Sequence, residues 1–144
     1  KDKELVALSG PCVFYDVSKT FSLLVKCYYF VGYVSHIISK TFFHIDAMLQ
    51  GGNFVLRRSA LQKIGGFDTS IAFYGEDADI AKRIQKVGKI KFDFKLLVYS
   101  SPRRLQKEGL LKTAWHYGIN YVWILIFGRP FSKDYSDVRS QSSL

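Results

Sequence analysis

The sequence predicts an α/β fold in which short strands alternate with helices and an apolar helix closes the chain. Three observations lead there. Short apolar runs bounded by Gly, Pro or Ser read as strands at the start, middle and end of the first hundred residues. Helical spacing of apolar residues separates them, as at Ile80, Ile84 and Val87. Strict alternation then returns in "KIKFDFKLLV", with Ile90, Phe92, Phe94 and Leu96 on one side and Lys91, Asp93 and Lys95 on the other. The chain has 144 residues, 48% hydrophobic and 16% aromatic, which suits a packed core and excludes a disordered chain.

In order, "ELVALSGPCVFYD" reads as a strand broken at Gly10-Pro11 and a second apolar run. Residues 19–49 read as one or two helices with a large apolar face. Lys26, Lys40, His36 and His44 are read as interrupting it too often for a clean membrane span. "NFVLRR" is a strand. Ser59 is expected to cap a short helix, with Gln62 completing a capping box, and Gly65 to stop it. "GGFDTS" is a loop, and a helix is expected from Glu76 to Gly88. After the alternating strand, "SSPRRLQKEG" turns into a helix, "LLKTAWHYGINYVWILIF", with a bend expected at Gly118. The tail from Gly128 is polar.

Net charge is +9, carried mainly by the later two-thirds of the chain, a surface suited to phosphates. The aromatics lie in apolar runs rather than interleaved with Lys and Arg, which argues against a nucleic-acid partner. The two cysteines, Cys12 and Cys27, form no CxxC pair and read as buried free thiols of a reducing compartment.

Against this basic background stand Glu76, Asp77 and Asp79. Asp79 precedes Lys82 and Arg83 by three and four residues, so a surface ion pair accounts for it. Asp77 lies three residues before Ile80 and extends the buried stripe, with Glu76 near the same side. Acids in a first helical turn compensate the helix dipole. A carboxylate at the end of a buried stripe costs desolvation besides, which favours a task such as general base. Gly51-Gly52-Asn53 enters a strand with two residues that let a ligand approach the backbone and an amide suited to sugar hydroxyls; a plain turn is the alternative.

"GGNFVLRRSALQKIGGFD" followed by "GEDADIAKRIQKVGKI" resembles the acceptor-side, carboxy-terminal half of a family-2 glycosyltransferase of the GT-A fold. A weaker likeness extends to "VYSSPRRL". The resemblance implies a partial GT-A, Rossmann-like mixed sheet flanked by helices over residues 1–110, with the apolar helix and tail over 111–144. It implies an inverting transfer from a nucleotide-sugar donor to a hydroxyl of a glycan or lipid-linked acceptor. Asp77 takes the place of the base, Glu76 a place beside the sugars, and Gly51, Gly52 and Asn53 the lining of the sugar pocket. Arg103 and Arg104 take a place facing the leaving diphosphate, or else form a solvated or lipid-phosphate pair.

The family's metal-binding Asp-x-Asp is absent before residue 50, and Asp77-Ala78-Asp79 stands on the wrong helix. A divalent ion, Mg or Mn, is therefore expected with its ligands upstream, and no metal is assigned to this chain. The chain begins at Lys1, so a piece of a longer protein is expected, inactive by itself. Trp115, Ile119, Val122 and Ile126 form a stripe that reads as a core face or an interfacial one. Peripheral contact with the cytoplasmic face of a membrane is the corresponding expectation, and a non-catalytic binder of sugars or lipid heads the competing one.

Overall fold

A computed structural model describes residues 2–43 and 48–132. It shows the expected α/β class, with a mixed sheet flanked by helices. Strand β1 (Leu5–Ser9) is central, antiparallel to β3 (Phe54–Leu56) and parallel to β4 (Lys89–Phe92). Beyond the Gly10-Pro11 break, β2 (Cys12–Phe14) pairs in parallel with β5 (Val98–Ser100). Gly10 is required there, since a Cβ would overlap the backbone oxygens of Leu96 and Asp93.

Helix α1 (Lys19–Phe43) is one 25-residue helix. Its Lys19–Thr41 stretch is long and apolar enough to cross a membrane by length and composition, contrary to the expectation of too many charges. Lys19 and Lys40 stand at its ends, leaving Lys26 alone between them. His44 and the tail beyond Ser132 lie outside the described residues.

Helix α2 (Arg58–Lys63) starts one residue before the predicted cap, so Ser59 lies inside it and caps nothing. The backbone carbonyl of Arg57 accepts from Ala60 and Leu61 and opens the helix. The Arg57 guanidinium meanwhile donates to the carbonyls of Leu5 and Asp2 and ties the helix start to β1. Gly65 and Gly66, both with positive φ, end it as expected. Gly65 N–H donates to Gln62 and Gly66 N–H to Leu61, which satisfies the last carbonyls.

Helix α3 (Glu76–Ile84) ends at Ile84, short of Gly88, and a turn fills the gap. Ile80, Ala81 and Ile84 join Val6, Ala7 and Ile90 in the main core. Val87, expected on that face, is exposed because the helix has already ended.

The alternating segment is not one strand. Lys95 N–H donates to Asp93 Oδ1 and Leu96 N–H to the Asp93 carbonyl, so the chain turns between β4 and β5. Phe94 leaves the sheet and packs edge-on against Tyr33 of α1. After β5 a short helix α4 (Arg103–Glu108) stands where only a turn was expected. Helix α5 (Leu110–Phe127) runs unbroken through Gly118.

Asp79 corrects the surface-pair reading: it is buried. It accepts from Arg83 Nε at 2.9 Å, and Arg83 Nη1 donates to the carbonyls of Ile64 and Gly66 at 2.9 and 2.7 Å. Arg83 thus clips α3 to the end of α2. Asp79→Ala strands a half-buried guanidinium, and we expect a loss of about 2 kcal/mol in urea-unfolding stability. The figure lies below that of a dry ion pair, because solvent still reaches the arginine. Lys82 turns the other way and donates to the carbonyls of Ile124 and Leu125 at the end of α5.

Candidate active site

The site is built on the turn from Gln50 to Asn53 and on the start of α3. Gly52, with φ of 82°, closes the turn, and Asn53 N–H donates to the Gln50 carbonyl at 2.9 Å. Ser9, fully buried at the end of β1, holds both sides: its hydroxyl donates to the Asn53 carbonyl at 2.7 Å and accepts from Gln50 N–H at 2.8 Å. Sequence reasoning missed Ser9, although a small hydroxyl residue ending a strand just before a glycine was a signal for it.

Asn53 is buried, and its amide donates to the carbonyls of Pro11 and Leu96 at 3.1 and 2.8 Å. It joins the break after β1 to the turn before β5. This fixed turn aims the Gly51 N–H at α3, where it donates to Asp77 Oδ2 at 2.9 Å. The other carboxylate oxygen, Oδ1, accepts from Ala78 N–H at 2.8 Å.

Burial pushes the Asp77 carboxyl above its usual range, against the pull of the Ala78 and Gly51 N–H groups, and the Glu76 charge adds to the rise. Glu76 itself is exposed. Gly75 sets the helix start, since its φ of 91° lets the chain turn sharply beneath Ile124 and Asn120 of α5.

A second group gathers where α4 and α5 meet the loop before Gly75. The Arg104 guanidinium lies 4.4 Å over the ring of Phe73, and its Nη1 donates to Tyr74 Oη at 3.4 Å and to Glu108 Oε1 at 3.2 Å. Tyr74 packs edge-on against Phe73, His116 and Tyr117. The Tyr117 phenol is pushed up to about 12, by burial first, then lowered by Arg104 and raised by Tyr74, Asp77 and Glu108. It therefore lies within electrostatic reach of both Asp77 and Arg104. Tyr28 of α1 is also raised, by burial and then by the Asp77 charge.

The structure thus brings Gly51, Asp77 and Glu76 together, with Gly52 and Asn53 in the same turn and Arg104 linked through Tyr74 and Tyr117. Arg103 is exposed on α4. Asp77 and Asp79 diverge, one to Gly51 and the other to Arg83, so the pair does not fit a shared ion. Among the described residues no three acids, histidines or cysteines converge on a common point.

Gly51 has a steric role as well. A Cβ there would sit 3.0 Å from Asp77 Oδ2. In Gly51→Ala the carboxylate must give way by a few tenths of an ångström; we expect a nearly unchanged Tm and roughly tenfold slower turnover, since reactivity is steep in position. Thermal denaturation beside an activity assay separates the two.

No curated protein and no solved structure matches the chain. The model of one family, described as glycosyl transferase family group 2, matches residues 2–140 and so takes in β1 through α5, the 50–53 turn and the acids of α3. The chain belongs to that glycosyltransferase family.

Proposed function

We propose that this chain forms the acceptor side of an inverting glycosyltransferase site, with Asp77 as the general base. The observation that carries the reading is the Asp77 carboxylate, half-buried at the start of a rigid helix and gripped by one backbone N–H on each oxygen. Burial raises its proton affinity, while the grip fixes its direction. Each oxygen keeps a further lone pair for a substrate proton.

Asp77 takes the proton of an acceptor hydroxyl as that oxygen attacks the anomeric carbon of a nucleotide-activated sugar. The bond from that carbon to the nucleotide's phosphate oxygen breaks, and its electrons leave with the diphosphate. One displacement inverts the anomeric configuration.

Of the two arginines, Arg104 is the one tied to this neighbourhood, since its charge and that of Asp77 both act on Tyr117. Its positive charge, with that of Arg103, offsets charge growing on the diphosphate. Glu76, Gly51 and Gly52 border the sugars, and Asn53 holds the turn that presents them. A divalent ion, Mg or Mn, supplies charge neutralisation at the diphosphate when bound. A glycan or lipid-linked acceptor, at the cytoplasmic face of a membrane, fits the basic, apolar surface.

The test is nucleotide release by the full-length protein from a panel of sugar nucleotides, with Mg or Mn, followed by NMR of the product. Turnover of a donor with inverted anomeric configuration supports the reading. Retained configuration overturns direct displacement.

A further inference from the structure

Helix α1 is exposed along most of its length. One narrow side packs inward: Val25 and His36 are buried, Tyr29 Oη accepts from Cys12 N–H at 3.0 Å, and Tyr33 meets Phe94. The opposite side carries Leu23, Leu24, Val31, Val34 and Ile38, all exposed, Val31 to 62%. Such a continuous apolar face needs a partner.

Its length suits a bilayer crossing, yet the sheet forbids one. Strand β1 precedes α1 and β3 follows it, and the two are hydrogen-bonded neighbours. Gln50, seven residues after Phe43, is already tied to Ser9 of β1. Twenty-five helical residues run about 37 Å, whereas seven extended residues return at most about 25 Å. That return would also cross the hydrocarbon as unpaired backbone. The middle of the helix, moreover, packs on the protein.

The charges of α1 show what the outward face meets. The helix contains no acid. Lys19 and Lys26 are seven residues apart, both exposed, and so share one flank with a drift of about 20°. That flank separates the packed side from the outward apolar side. An apolar strip edged by lysines fits an anionic lipid surface, with the strip among acyl chains and the ammonium groups among headgroups.

We propose that α1 lies in the plane of an anionic leaflet, its Leu23–Ile38 face immersed and its Lys19 and Lys26 flank at the headgroups. The docking is read without activity and stands apart from the transfer reading.

The chain carries its own probe. Cys27, expected to be buried, is exposed because it lies at the middle of the outward side, whereas Cys12 is buried as expected. The full chain, labelled at Cys27 with an environment-sensitive fluorophore, is mixed with phosphatidylcholine vesicles with and without phosphatidylglycerol. The emission is expected to shift to the blue and become shielded from iodide with anionic vesicles only. Alkaline carbonate should release the protein. Val31→Glu with Val34→Glu, both exposed, should cut binding at least tenfold with unchanged circular dichroism.

A label that stays quenchable at low salt overturns the proposal. So does one already shielded without vesicles, which would mean that protein covers the face. Resistance to carbonate would mean a spanning helix and overturns it too. None of these outcomes bears on Asp77.

Discussion

Asp77→Asn is expected to slow transfer by about 10²–10⁴-fold, the usual worth of a positioned general base, with donor affinity little changed. The substitution keeps the size of the side chain and removes its basicity. One oxygen remains for either Gly51 or Ala78, and the amide NH₂ must face the other N–H, which costs about 1–3 kcal/mol. Losing a desolvated charge works in the opposite direction, so Tm should move by only a few degrees. A rate loss without an equal stability loss identifies chemistry; parallel losses would identify a structural acid.

The pH dependence provides a second readout. Burial raises the folded carboxyl above its ordinary 3.8, so between those two values the folded state holds more protons than the unfolded chain. Asp77 therefore makes stability fall as pH rises through that window, and leaves it flat above. The wild-type rate should rise with pH through the folded value as the base is freed, and the Asn variant should lose both dependences.

The largest stability effect is expected at Gly75. Its φ of 91° disfavours any side chain, at about 1–2 kcal/mol. A Cβ would also overlap Ile124 Cδ1, the end of a fully buried side chain that must then shift, at about 1–3 kcal/mol more. Gly75→Ala should thus lose about 3 kcal/mol and about 10 °C of Tm in a domain of this size. Gly65→Ala is the control: its φ of 81° is similar, but a Cβ meets nothing within 4 Å, so only backbone strain remains. If the two variants melt alike, the α3–α5 contact is not what fixes the start of α3. Because Glu76 and Asp77 follow Gly75 directly, a displaced start should also depress activity in what remains folded.

Much of this arrangement was legible. The strands around Gly10-Pro11, the helix stop at Gly65, the strand from Phe54 and the buried face of Ile80 and Ile84 follow from local chemistry, which sequence records directly. What escaped depends on partners distant in the chain. Alternation through Phe94 and Leu96 reports which way side chains point, not whether a neighbouring strand is available, and Asp93 ends the pairing. Asp79 looked solvated because its arginine was near; its burial comes from the carbonyls of Ile64 and Gly66, which hold that arginine down.

The stripe of α5 shows the same limit. Trp115 and Ile126 are 68% and 66% exposed, while Thr113, Asn120 and Ile124 face inward. Asn120 is tolerated there because its amide bonds His116 and Ser132. In the site, the acids were visible as a cluster, but their divergence was not, since it is decided by Gly51 on one side and Arg83 on the other.

The order of strands bears on how the protein comes to be folded. Strand β1 is the middle one of its sheet, and its parallel partner β4 begins about eighty residues later. At about 5–20 residues per second, the ribosome leaves β1 without that partner for several seconds. Through that interval β1 offers an open edge and α1 an apolar face to whatever is nearby. Pairing at such separation is slow in its own right. Yield in the cell should accordingly depend on what shelters the nascent chain, a chaperone or a lipid surface, more than on the final stability of the fold.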